Sequence, residues 1–321
     1  MIAPLAQLID WSVLQMAYAV FGLRHAPTPD WKLKESLAFV NGPDFILADS
    51  KPAQVEFDGT RHFRFPTPRP SEVEQNNVVY GQLYRCTELW RDRPVVILLD
   101  GYPAIGYHCA FPFLSRRFNR AGFNVVTLVA PYNLQRHPRQ PLEENCLEFS
   151  REIAQSVAEI RALTGWLLTE GCPSVGLLGF SHGGWLAGLT ACADARINCA
   201  VLAVPRVGMR CFQPVVWRRV RRLLQSLRPA QEAMDATRLN LISSAPAIPK
   251  ENILLIEGTH NLFTGTQPIE DLWVKWQQPE IWWLPHGHVS ALFMPGLITR
   301  IVRWLALRLD KPVNESFDHS A

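Results

Sequence analysis

A Gly-Phe-Ser-His-Gly segment at residues 179–183 is the part of the sequence best suited to nucleophilic chemistry. It follows an apolar run at residues 174–179 and precedes a run typical of a helix, which is the context expected of a GxSxG nucleophile elbow. Such a turn holds a serine hydroxyl clear of the sheet, and Gly179 and Gly183 leave space for the backbone to close. The pattern predicts Ser181 as the nucleophile of an acyl transfer. The alternative is an ordinary glycine-rich turn.

Acyl transfer also needs hydrogen-bond donors for the oxygen that becomes negatively charged during attack. Because His182 would open the helix, its backbone N–H is the first predicted donor of this oxyanion hole. The second is expected from the loop after the apolar run at residues 94–100. There Gly101 permits a close backbone approach, and the N–H of Tyr102 is the predicted donor, since Pro103 has none. Asp100 is expected to fix this loop through local hydrogen bonds.

A His-Gly-His segment at residues 286–288 offers two candidate bases. It follows an apolar run at residues 280–284 and leads into a helical pattern. His288 is the predicted base, because a neutral imidazole bonded to a serine hydroxyl accepts its proton during attack. The alternative for a His-x-His pair is a metal site, but no third ligand lies near in the sequence. We therefore predict neither a metal nor a cofactor.

The segments that carry these residues alternate between strand and helix. Residues 78–85 are predicted to form an exposed or edge strand. Continuous β-branched and leucine runs are typical of parallel strands covered on both faces. Such runs recur at residues 94–100, 123–130, 174–179, 197–204 and 252–257, before a last strand at 280–284. The alternation predicts an α/β protein of the α/β-hydrolase fold, with a mostly parallel, doubly wound sheet.

The regular pattern covers only part of the chain. Residues 1–75 are predicted to be an N-terminal helix followed by an irregular extension with one strand at residues 61–65, and residues 76–321 to be the hydrolase domain. Between about residues 205 and 250 the path to the next strand is unusually long, which predicts an inserted helical cap with a basic helix at residues 216–224. The predicted apolar stripe of the N-terminal helix consists of Leu5, Leu8, Ile9, Val13, Met16 and Val20.

Composition narrows the function classes. Of the 321 residues 48% are hydrophobic and 19% charged, which excludes a disordered protein. The net charge of +3 is small, so no nucleic-acid partner is predicted. Seven cysteines without a CxxC pair fit a reducing compartment, so a cytoplasmic location is expected. Residues 1–23 are too broken for a membrane span. For their helix, contact with a membrane surface is the alternative to packing on the domain.

These features together resemble the alpha/beta-hydrolase domain-containing protein 18 family. The resemblance runs from about Val95 to Leu309 and implies hydrolysis of an acyl ester of a small molecule or lipid, with Ser181 as nucleophile and His288 as base. It rests on the loop at residues 98–108, Ala-Pro-Tyr-Asn at 130–133 with Arg136 and Pro138, the elbow at 179–184, and Gly-His-Val-Ser-Ala at 287–291.

The family pattern places an Asp shortly after the penultimate strand, where this sequence has Asn261. A carboxylate there completes the catalytic triad by holding the base in the right tautomer, and exchanging it for Asn costs about 10⁴ in turnover in a serine protease. Three interpretations stay open. Glu257, at the end of the strand, takes the acid role; or Asn261 orients His288 through its carbonyl oxygen in a slow enzyme; or the chain binds a ligand without turning it over.

The predicted function is therefore a serine esterase or lipase-like hydrolase that forms an acyl-enzyme on Ser181. The alternative is a degenerate, non-catalytic binding protein on the same fold, and it depends on the neutral side chain of Asn261.

Overall fold

A computed structural model describes residues 2–21, 28–43, 45–46, 51–101, 106–138, 146–209 and 228–309. Its strands are β1 (Glu56–Asp58), β2 (His62–Pro66), β3 (Val78–Tyr84), β4 (Val95–Leu99), β5 (Asn124–Leu128), β6 (Val175–Phe180), β7 (Cys199–Ala203), β8 (Ile253–Gly258) and β9 (Glu280–Leu284). Its helices are α1 (Ile2–Phe21), α2 (Asp30–Asn41), α3 (Phe111–Arg120), α4 (Cys146–Thr169), α5 (His182–Ala193), α6 (described over residues 228–235), α7 (Gln267–Lys275) and α8 (Leu297–Arg308).

The described strands form one sheet in the order β1-β2-β3-β5-β4-β6-β7-β8-β9. From β5 to β9 every neighbouring pair is parallel. The pairs β1–β2, β2–β3 and β3–β5 are antiparallel. The predicted α/β-hydrolase fold with a mostly parallel sheet is therefore confirmed.

Side chains of β4 show why its sequence is apolar without alternation. Val95, Ile97 and Leu99 face one hydrophobic cluster, to which α4 and α5 also contribute. Val96 and Leu98 face a second cluster, which includes residues of α3 and α8. Because helices cover the sheet on both faces, successive residues of the central strands are all buried.

The antiparallel end of the sheet corrects the prediction of an edge strand at residues 78–85. β3 is not an edge strand, because the β1–β2 hairpin pairs with it on the side away from β5. Phe63 of β2 packs against Gly81 of β3, where an added Cβ would lie 2.2 Å from the ring.

Residues 30–41 are helical rather than irregular, since α2 packs on α4. Only Ser36 and Val40 of α2 are buried, so its apolar periodicity is faint in the sequence.

The predicted N-terminal helix is confirmed as α1, but it buries a different stripe. Ala6, Asp10 and Leu14 are at most 2% exposed, whereas Leu5 and Leu8 are more than half exposed. The helix is turned so that the buried Asp10 carboxylate accepts backbone N–H groups of two loops, while larger apolar side chains of the same helix stay exposed. None of the described helices is long and apolar enough to cross a membrane.

The segment predicted as a cap is described only in part, since residues 210–227, with the basic helix at 216–224, lie outside the described residues. Its described remainder packs into the helical layer beside α5. Met234, Leu239 and Leu241 are fully buried there. The Trp185 indole N–H of α5 donates to the Leu239 carbonyl at 2.7 Å.

Candidate active site

Ser181 lies between the end of β6 and the first residue of α5, in a backbone conformation that L-residues rarely adopt (φ 54°, ψ −111°). At both flanking positions there is room only for a glycine. A Cβ at Gly179 would lie 2.0 Å from the Gly183 carbonyl oxygen, and a Cβ at Gly183 would lie 2.2 Å from that of Leu99. The Ser181 N–H donates to Ala203 of β7 at 2.9 Å, which ties the strained turn to the neighbouring strand.

His288 meets this serine from the loop after β9. Its Nε2 lies 2.9 Å from the Ser181 Oγ. The Phe263 ring stacks on the imidazole, with centroids 4.5 Å apart and planes 17° apart, and this fixes the plane of the imidazole. This contact of Phe263 was not predicted from the sequence. The indication for it there is an aromatic residue two positions after Asn261.

Burial lowers the pKa of His288 to about 4, and the positive charge of Arg206 adds to the effect. The imidazole is therefore neutral at pH 7 and able to accept a proton. The same two causes oppose the imidazolium that forms during attack, so a negative partner behind the ring would matter more here than at an exposed site.

Asn261 occupies that place behind the ring. Its Nδ2 lies 3.2 Å from the Nδ1 of His288, and donates to Glu257 Oε1 at 2.8 Å and to Thr264 Oγ1 at 2.9 Å. Its Oδ1 accepts the backbone N–H groups of Phe263 at 2.8 Å and of Thr264 at 3.2 Å.

These partners decide which end of the Asn261 amide faces the base. A flipped amide would turn its NH₂ group against the two backbone N–H groups, so that these two donors and the two amide hydrogens would meet without an acceptor. In the orientation that these bonds favour, the NH₂ group of Asn261 faces His288, which disfavours orientation of the base through the Asn261 carbonyl oxygen, one of the three interpretations. The two Nδ2 hydrogens are taken by Glu257 and Thr264, and an NH₂ group accepts no hydrogen bond, so a proton on the Nδ1 of His288 would find no acceptor there. This favours the tautomer that carries its proton on Nε2, which is the wrong one for taking a proton from Ser181.

Glu257 stands behind Asn261. Its Oε1 accepts from the Asn261 Nδ2 and from the Gly258 N–H, both at 2.8 Å, and its Oε2 has no hydrogen-bond partner in the described part of the chain. Complete burial raises the pKa of Glu257 to about 8, and the charge of Asp10 adds to this. The residue in contact with His288 is therefore Asn261, and Glu257 is a neutral carboxylic acid at pH 7.

The substitution Glu257→Gln should flatten the pH dependence of stability. The folded protein holds a proton at Glu257 up to about pH 8, whereas the unfolded chain releases it near 4.5, the ordinary pKa of a glutamate side chain. Its contribution to stability is thus complete below pH 4.5 and is lost as the pH rises from 4.5 to 8. We expect the melting temperature of wild type to fall by about a few degrees more than that of Glu257→Gln between about pH 5 and 8. An equal fall would contradict the buried, protonated carboxyl; Glu251→Gln, on the surface, is the control.

The predicted oxyanion donors are described in part. His182 is the first residue of α5, so its N–H lies at the helix N-terminus, beside Ser181. Gly101 approaches closely, since an added Cβ would lie 3.6 Å from the Ser181 Cβ. The Gly101 N–H itself donates to Asp100 at 2.8 Å, so it is engaged within its own loop. Tyr102 lies outside the described residues.

Asp100 fixes this loop as expected, because its carboxyl also accepts the Tyr107 N–H at 2.9 Å. Burial raises the pKa of Asp100 to about 6.

The loop after β5 is fixed by a second buried cluster. Arg136, with no exposed surface, donates to both carboxylate oxygens of Glu159 at 2.6 and 2.8 Å and to the Val129 and Asn76 carbonyls.

No cluster of three or more His, Cys, Asp or Glu that could hold a metal ion occurs among the residues that the structure describes. His286 lies partly exposed in the same loop as His288, and its described bonds are those of its backbone with Leu284 and His260.

Comparison with known proteins identifies similar folds and sequences. Two uncharacterized proteins, from two strains of Mycobacterium tuberculosis, are each 27% identical over 199 residues, which is 57% of this chain and 46% of theirs. The chain thus spans about half the length of these relatives.

Solved structures of low identity share the fold. An esterase from Pyrococcus furiosus is similar with a TM-score of 0.55 and 15% identity, covering 81% of this chain and 98% of its own. An alpha/beta hydrolase from a Penicillium species is similar with a TM-score of 0.57 and 12% identity, covering 78% and 99%.

The sequence model of one family, alpha/beta hydrolase domain containing 18, matches residues 41–208. The match begins before the resemblance seen from Val95 and includes the elbow, but ends before the loop of His288. Because it spans more than half of the 321 residues, this chain belongs to the alpha/beta hydrolase domain containing 18 family.

Proposed function

We propose that this protein is a serine hydrolase of acyl esters, of a small molecule or a lipid, and that Asn261 keeps its turnover low. The observation that carries the proposal is the 2.9 Å contact between the His288 Nε2 and the Oγ of Ser181 on its strained elbow. A serine hydroxyl in that conformation, bonded to a buried neutral imidazole, is the arrangement that acyl transfer requires.

The reaction would proceed through an acyl-enzyme. The Ser181 Oγ attacks the ester carbonyl carbon while its proton passes to the His288 Nε2, and the carbonyl oxygen, now negative, accepts from the His182 N–H. The C–O bond to the alcohol then breaks, and the alcohol leaves with the proton from Nε2. Water repeats the sequence on the acyl-enzyme, giving the carboxylic acid and free Ser181.

The first proton transfer requires the lone pair of Nε2 to face Ser181, with the other proton on Nδ1. The Asn261 Nδ2 donor, 3.2 Å from Nδ1, favours the opposite tautomer. Each turnover must therefore start from a minor form of His288, which lowers the rate without removing the nucleophile, the base or the helix-terminal donor.

The same contact favours a second candidate, a binding protein that uses the fold without catalysis. The two candidates differ in whether Ser181 can be activated at all. A protein with an activated serine reacts covalently even when its turnover is low, whereas a purely binding protein does not.

A fluorophosphonate probe tests this directly. The Ser181 Oγ displaces fluoride and forms a P–O bond, and the proton follows the same route to His288. We expect wild-type protein to be labelled, with the modified peptide containing Ser181, and Ser181→Ala to be unlabelled. Ser243→Ala, which removes an exposed serine, should label at the wild-type rate. Failure of folded wild type to label at Ser181 would favour the binding protein.

A further inference from the structure

The carboxylate of Asp10 contacts both loops of the candidate site from outside the sheet. Its Oδ2 accepts the His288 N–H at 2.6 Å and the Leu262 N–H at 3.1 Å, and its Oδ1 accepts the Val289 N–H at 2.9 Å. The residue has no exposed surface, although it lies on α1. A carboxylate that accepts three backbone N–H groups forms charge-assisted bonds, which are stronger than neutral ones.

The Asp10 Oδ2 thereby links the loop that follows β8 to the loop that carries His288. The Asp10 Oδ2 is shared by the backbone of the base itself and by the residue that follows Asn261. The loop from Gly258 to Thr264 also supplies the Phe263 ring that stacks on the imidazole. A shift of this carboxylate would therefore move the backbone of the base relative to the side chains that orient its ring.

Gly287 is fitted to this carboxylate. The three atoms nearest to a Cβ added at Gly287 all belong to Asp10, at 2.5 to 2.7 Å. At these distances the Asp10 carboxylate would have to move, so the absence of a side chain at residue 287 allows Asp10 to reach the N–H of His288. The Gly-His pair of the base loop is thus explained by a residue of α1.

We infer that Asp10 is a positioning residue that holds His288 against Ser181. The inference rests on the proposed hydrolase function. In a triad with a carboxylate, the hydrogen bond that the carboxylate accepts from Nδ1–H helps to hold the imidazole. Here the group at Nδ1 is a neutral amide at 3.2 Å, so the placement of the ring depends on the backbone of its loop, and Asp10 holds that backbone.

Substitutions of Asp10 should lower kcat and leave KM unchanged. We expect Asp10→Ala to reduce kcat for p-nitrophenyl butyrate by about 10²-fold, because a displacement of about 1 Å in a catalytic group has that effect. Asp10→Asn keeps one accepting oxygen and should lose less. Ser12→Ala, at an exposed position of the same helix, is the matched control and should retain the wild-type rate.

A double-mutant cycle with Gly287→Ala separates positioning from general stability. In the wild-type background the new Cβ collides with Asp10, so kcat and the rate of fluorophosphonate labelling should fall by about tenfold or more. In the Asp10→Ala background the collision is gone, so Gly287→Ala should cost less than about threefold. Additive losses would show that Asp10 and the base loop do not act as one unit.

Hydrogen exchange gives a readout that does not depend on turnover. Peptides covering residues 258–264 and 286–292 should lose protection in Asp10→Asn, but not in Ser12→Ala. Unchanged exchange together with an unchanged kcat would overturn the inference. If Ser181 of the folded wild type cannot be labelled while exchange still responds to Asp10, the proposed hydrolase function fails and the structural role of Asp10 stands.

Discussion

Replacing Asn261 with Asp is expected to raise the turnover of ester substrates by about 10³- to 10⁴-fold. The reverse exchange in a serine protease costs about 10⁴, because the base is left in the wrong tautomer. In this protein the Asn261 Nδ2 faces the Nδ1 of His288 and favours a proton on Nε2. A carboxylate oxygen in its place would accept the proton of Nδ1 and leave the lone pair of Nε2 facing Ser181.

The surroundings can accommodate this carboxylate. The backbone N–H groups of Phe263 and Thr264 already donate to the Oδ1 of Asn261 and would donate equally to Asp. Glu257, 2.8 Å away, is protonated at pH 7 because burial raises its pKa to about 8, so it can donate a proton where it now accepts one.

The measurement is kcat for p-nitrophenyl butyrate at pH 7, with Asn261→Ala as the control. Alanine removes the unfavourable donor without adding a charge, and should therefore give a smaller gain than Asp. Equal rates for wild type and Asn261→Asp would contradict the view that Asn261 limits turnover.

The cost of Ser181→Ala should depend strongly on residue 261. Removing the nucleophile of a well-studied serine protease costs about 10⁶ in turnover. If about 10⁴ of this is already lost through Asn261, Ser181→Ala in the wild-type background should cost only about 10². In the Asn261→Asp background the same substitution should cost about 10⁵ to 10⁶.

Steady-state rates of the four proteins, wild type, the two single variants and the double variant, give this dependence directly. The two Ser181→Ala proteins should converge on one residual rate, because without the nucleophile the tautomer of His288 no longer matters. A cost of Ser181→Ala that is the same in both backgrounds would contradict the view that Asn261 limits the action of the serine.

The tight turn that carries Ser181 could be predicted because its constraints are local in sequence. The elbow depends on Gly179 and Gly183, which lie two residues from Ser181, and the structure shows what a Cβ would strike at each. The central strands could be predicted because helices cover both faces of the sheet, which requires apolar residues at successive positions.

The remaining features depend on contacts between distant segments. The orientation of the Asn261 amide is fixed by backbone N–H groups that a sequence does not display. The interior position of β3 follows from the β1–β2 hairpin that pairs with it. The burial of Asp10 could have been predicted, because it is the single charged residue within residues 2–23. A lone carboxylate in an apolar helix indicates a buried hydrogen-bond partner.

The hydrogen bonds of Asp10 join residues that are 252 to 279 positions apart. Contacts of such long range form late in folding, because the entropy of closing the intervening chain is lost before they contribute. We therefore expect a partly folded molecule to form the turn at Ser181 before the loop of His288 is held in place. The reverse step is informative too: undocking of α1 would release the base while the sheet stays intact. The time at which esterase activity appears during refolding would then show whether α1 docks after the sheet has formed.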